Sequence, residues 1–154
     1  MRRSIGFLVV LVIVFIGTRS IAHADDKDVI DYREHVMNTL YEQSEALGQI
    51  LSTTIPDDNA IGHLDSLALA ASIALKAFEQ KVPGGEAKPE VWSNWADFSK
   101  RMNEFAQKTA AAAKDAHEHG KEAGLAQVTD ALTCKKCHET YRHEKKGSTT
   151  GGDP

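Results

Sequence analysis

The chain has 154 residues, a length that suits one domain. Charged residues make up 26%, aromatics only 6%, and Pro occurs 4 times, a balance that favours helices over a sandwich or barrel. A formal charge of −4 argues against a basic nucleic-acid-binding surface.

The first two dozen residues differ from the rest. Arg2 and Arg3 supply a positive start, Ile5 to Ile16 is an apolar run broken only by Gly6, and Ala22-His23-Ala24 offers small residues before a cut. This is the pattern of a secretory signal, with cleavage expected after Ala24. The alternative is an uncleaved membrane anchor, but the run falls short of the ~20 apolar residues that span a bilayer. Cleavage would leave 15 basic against 22 acidic residues, a formal charge of −7.

Beyond the signal, apolar periodicity predicts four helices. The first runs from about Lys27 to Leu51, with Val29, Val36, Met37, Leu40, Leu47, Ile50 and Leu51 at steps of three and four. Pro56 disfavours a helical residue before it and helps to end that helix. The second starts with Asp57 or Asp58 as cap and runs to about Lys81, where Val82-Pro83-Gly84-Gly85 breaks it. The third begins near Pro89, passes through Trp92, Trp95, Phe98, Met102 and Phe105, and is closed by Gly120. The fourth covers about Leu125 to Lys145, and the Gly-, Ser- and Thr-rich residues 147–154 read as a flexible tail. Residues 25–146 are therefore expected to form one all-α domain, an antiparallel four-helix bundle.

Two cysteines remain, in the run Cys134-Lys135-Lys136-Cys137-His138. An exported pair of cysteines normally suggests a disulfide. These two are three residues apart and are followed at once by a histidine, which is the signature of c-type haem attachment. The chemistry needs that spacing: two thiols add across the two haem vinyl groups as thioethers, and an imidazole reaches the iron from one face. On a helix, residues i, i+3 and i+4 project from one side, so all three groups meet a single ligand. Neutral His138 would be the proximal iron ligand. The competing explanations are a redox dithiol, half of a zinc site, and chance. A thioredoxin-like dithiol follows a strand, and a zinc site needs further ligands, for which His143 is the only nearby candidate.

The placement of this motif near the C-terminus resembles the class II cytochromes c, meaning cytochrome c′ and its low-spin relatives. The resemblance rests on three blocks: Tyr32-Arg33-Glu34-His35-Val36-Met37, then Lys88-Pro89-Glu90-Val91-Trp92-Ser93 with Phe98, then Cys134 to Arg142. It implies a four-helix bundle carrying one covalent haem c. It also implies that Met37, on the first helix, faces the haem opposite His138. In low-spin members a methionine here is the sixth ligand; in cytochrome c′ a bulky side chain at this place leaves the iron five-coordinate, and some five-coordinate members carry methionine too. Arg33, one turn earlier, is implied to lie near the haem propionates, where a bidentate pairing is apt; a solvated arginine is the alternative. Arg142, one turn after His138, is placed to flank the proximal side. The chain departs from the family pattern in its short Glu79–Ala87 connection and in lacking a glycine shortly before Cys134.

Met37 is also explicable as core filler on an apolar stripe, and thioether sulfur as a soft iron ligand that raises the potential. Met102 is a poorer ligand candidate, and His35 and His63 are expected to be exposed. Tyr32, Trp92 and Tyr141 are expected to pack rather than touch a cofactor, while Lys135 and Lys136 sit where a small positive patch would flank a haem edge. The leading functional expectation is one-electron transfer in the periplasm with redox partner proteins, through iron held by His138 and Met37. The alternative is a five-coordinate protein binding nitric oxide or carbon monoxide. A haem-free dithiol oxidoreductase ranks third. The resemblance also permits a homodimer through the first two helices.

Overall fold

The computed structural model describes residues 25–144; the signal and tail expected above lie outside them. Helix α1 spans Asp26–Leu51 and is capped by Asp25, whose carboxylate accepts the Asp28 N–H at 2.8 Å. It ends where Thr53 takes a positive φ of 58°. A short 3₁₀ turn, Asp57–Asn59, leads into α2, Ala60–Ala74, which tightens into a second 3₁₀ turn over Leu75–Phe78. Helix α3, Glu90–Ser93, is one turn; α4 runs Trp95–His119, α5 Lys121–Ala131 and α6 Cys134–Tyr141.

These elements form the four antiparallel rods of a bundle, but two rods are broken. Asn94, at φ −121° and ψ 45°, separates α3 from α4. Leu132 and Thr133 separate α5 from α6, so the predicted single fourth helix is two helices. It also begins earlier than periodicity suggested. The whole connection from α4 is Gly120, whose φ of 98° suits a residue without a side chain. The second rod loses α-helical form at Ala74 and stops at Phe78, short of Lys81.

The core runs the length of the bundle. Leu47, Leu64, Leu67, Val91 and Val128 are its largest fully buried apolar side chains. Helix α4 packs against both α2 and α5, and α1 against α2. Small residues allow the close approach of α4 to α5: Ala112 and Ala116 lie directly beneath Gly124. The two ends are tied separately. At one, Lys121 of α5 pairs with Asp57 at 2.7 Å. At the other, the connection between α2 and α3 pairs with the residues that leave α6: Lys88 N–H donates to the Tyr141 carbonyl at 2.9 Å, and His143 N–H to the Glu86 carbonyl at 2.8 Å.

Candidate haem site

Helix α6 carries the Cys-Lys-Lys-Cys-His run. Cys134 and Cys137 form no disulfide with each other and are half-buried, and His138 beside them is half-buried too, while Lys135 and Lys136 are exposed. Burial pushes both thiols above their ordinary pKa. Arg142 partly offsets this at Cys134 and Arg101 at Cys137. A dithiol reagent needs the opposite, a thiolate stabilised below its free value. The donor set instead suits a planar group held covalently at one edge: two sulfurs and an imidazole at i, i+3 and i+4 of one helix, half sunk into the protein. Among the described residues, no group of three or more Cys, His, Asp or Glu side chains comes together.

Across the bundle, Met37 is half-buried on α1 and packed against the core, as Cys137 is from α6. In the backbone, α6 packs against α3. Glu45 of α1 lies near enough to Cys134 for its charge to raise that thiol's pKa. Met102 is buried in the core, His35 is exposed, and His63 is half-buried with Nδ1 2.9 Å from Gln43 Oε1. Tyr32 is 52% exposed rather than packed, because it lies on the outer side of α1.

Arg33 is 3% exposed, which rules out the solvated arginine. Its Nη1 donates to the Val82 carbonyl at 2.8 Å and its Nη2 to the Gly84 carbonyl at 3.3 Å. The guanidinium lies 5.0 Å from the Trp92 ring centroid and 5.8 Å from that of Phe78. Burial pulls its pKa down, and the neighbouring Glu34 partly restores it. Trp92 is itself fixed, donating Nε1–H to the Phe78 carbonyl at 2.9 Å. Arg33 thus joins α1 to the short connection after α2, and that connection is in turn paired with the end of α6. A groove of about 280 Å³ lies alongside, lined by Pro83, Gly84, Trp92 and His143 among others. Neither Met37 nor the cysteines line it.

Sequence reasoning missed a polar cluster beside Cys137. Tyr141 is 3% exposed; its phenol donates to Asp97 Oδ2 at 2.6 Å and accepts from Asn94 Nδ2 at 3.2 Å. Asp97 Oδ2 also takes the Arg101 Nε–H at 2.6 Å. The i, i+4 spacing of Asp97 and Arg101 is the one signal in the sequence that pointed there. Burial first, and Asp97 second, push the Tyr141 phenol up to about 12.

A four-rod bundle with a c-type attachment run on its last helix defines a covalent haem protein of the bundle class. The comparisons specify which: the family model for cytochrome c′ matches residues 28–142, and the chain belongs to that family. It is 27% identical over 127 residues to cytochrome c′ of Alcaligenes xylosoxydans xylosoxydans, covering 79% of this chain and 98% of that protein. It is 30% identical over 128 residues to cytochrome c′ of Pararhodospirillum photometricum, covering 77% and 99%. In structure it matches ferric cytochrome c prime from Alcaligenes xylosoxidans at a TM-score of 0.71 and 24% identity, covering 79% and 98%, a likeness of fold. Other solved structures of that Alcaligenes protein are a nitrosyl complex and a nitric oxide complex of its variants. Covalent haem c is thus the cofactor of this family and of this chain.

Proposed function

We propose that the protein is an exported, periplasmic haem protein that binds a small diatomic gas, nitric oxide or carbon monoxide, at a five-coordinate iron. The observation that carries this is the cytochrome c′ match over residues 28–142, which takes in both the Met37 and the His138 faces. The nitric oxide complexes of the Alcaligenes relative support the choice of ligand. The haem supplies an iron that changes oxidation state and accepts an axial ligand. The chain supplies the rest. Cys134 and Cys137 would hold the haem through thioether bonds, and the imidazole of His138 would be its proximal iron ligand. Met37, half-buried on α1 and packed against the core, would screen the opposite face. Arg33 carries a buried positive charge one turn from Met37, close to where a propionate would sit, with part of its donor capacity already committed to Val82 and Gly84. Arg142 flanks the His138 side.

The electron-transfer expectation, with Met37 as sixth ligand, is the second reading. The half-buried thioether of Met37, packed against the core from α1, favours it, since thioether sulfur is a soft iron ligand. One experiment separates the two: the optical spectrum of the haem-loaded protein in the ferric and ferrous states, with and without carbon monoxide. A high-spin ferric spectrum with ready carbon monoxide uptake supports gas binding. A low-spin spectrum that becomes high-spin in Met37→Ala supports the carrier. Colourless protein with two free thiols would sink both.

A further inference from the structure

Helix α6 is eight residues long, has no side-chain N-cap, and buries only Tyr141. So short a helix does not hold its shape or direction alone. The break at Leu132 and Thr133 uncouples it from α5. Its direction therefore depends strongly on what grips its last turn, next to the Lys88 Nζ that donates to the Glu139 carbonyl at 2.8 Å. The Tyr141 ring stands edge-on to Phe98, centroids 5.2 Å apart at 74°, and Phe98 is wedged between Phe78 and Trp95. The phenol is bound by Asn94 and Asp97, and Arg101, which is bonded to Asp97, lies 6.0 Å from the ring centroid. Asn94, Asp97 and Arg101 lie at i, i+3 and i+7, so the start of α4 presents them as one rail along α6. At 2.6 Å the phenol–carboxylate bond is a charge-assisted one, stronger than a neutral pair.

Tyr141 follows Cys137 by four residues and His138 by three, so it shares their side of the helix. We infer that Tyr141, held by Asp97, is a positioning residue for the His138 imidazole: it sets the rotation of α6 about its axis, and so the angle at which His138 meets the iron. The inference rests on the haem-attachment reading above. Groups that orient a metal-bound histidine commonly matter nearly as much as the histidine.

The test uses the haem-loaded full chain as Tyr141→Phe, which keeps the ring, and Asp97→Asn, which keeps the shape. The readouts are the ferrous iron–histidine stretching band in resonance Raman spectra and hydrogen exchange at the α6 amides. In both variants the band falls in frequency and broadens, and α6 amides exchange about tenfold faster, the loss expected of one charge-assisted hydrogen bond. The double variant goes no further than either single one. A band unchanged in both haem-bearing variants, whatever the exchange rates, overturns the inference alone. Wild-type protein without covalent haem by mass spectrometry overturns the attachment reading, and the inference with it.

Discussion

Three helical glycines allow the seat of the haem-bearing rod to be tested by the sign of one substitution. Gly48 in α1 and Gly62 in α2 are exposed, and a Cβ at either meets nothing within 4 Å. Ala there gains only helix propensity, and Gly48→Ala and Gly62→Ala are each expected to stabilise by about 0.5–1 kcal/mol. Gly124 in α5 is buried, and its Cβ would stand 2.5 Å from Ala116 Cβ, 2.7 Å from the Ala112 carbonyl oxygen and 2.8 Å from Leu64 Cδ1. Two of these three atoms belong to α4 and one of them is backbone, so no rotamer change relieves the clash. Overpacking of this kind costs about 1–3 kcal/mol, and the rigid obstacles put it at the upper end. Set against a propensity gain of about 1 kcal/mol, Gly124→Ala should lose about 2 kcal/mol net, or roughly 6–10 °C in Tm for a domain of this size. Urea unfolding of the haem-loaded protein, followed by far-ultraviolet circular dichroism, measures all three. A Gly124→Ala protein as stable as Gly62→Ala would refute the close seating of α5 on α4.

Arg33→Leu leaves the Val82 and Gly84 carbonyls without their donor and should cost about 1–3 kcal/mol, with faster hydrogen exchange at the Lys88 and His143 amides that tie the connection to α6. Arg33→Lys should recover little of this, because an ammonium cannot fork to two carbonyls over an aromatic face. Phe98→Ala removes a 4% exposed ring from between Phe78, Trp95 and Tyr141 and should cost about 3–5 kcal/mol by chemical denaturation. The Tyr141 phenol ionises at about 12, against 10.0 for an ordinary tyrosine; its contribution to stability is therefore complete below about pH 10 and lost as pH rises through 12. An ultraviolet tyrosinate titration should show a step near pH 12 that Tyr141→Phe removes. Asp97 is held below 3.8 by Tyr141 and then Arg101, so its share is present above about pH 4 and disappears as pH falls further.

Whatever depends on local spacing was legible in the residues alone. Cys134, Cys137 and His138 lie within five residues, and one helical turn brings them to one side whatever the rest of the chain does. Apolar steps of three and four likewise declared a helical bundle, because each rod's buried face is written within that rod. The same logic placed Met37 on the apolar stripe of α1, where it is half-buried against the core. Tertiary structure decided the remainder, because the forces involved join residues far apart in the chain. By sequence, Arg33 is expected to pair with a haem propionate or to be solvated; the connection after α2, some 50 positions on, folds over it and offers two carbonyls and an indole face. Nothing local in Leu132-Thr133 requires the break between α5 and α6; the break lets the last turn of α6 reach Asp97, 44 positions earlier. The attachment run was therefore legible as chemistry, while the contacts of Asp97 and Lys88 with Tyr141, at the end of the helix that carries it, appear only in the folded chain.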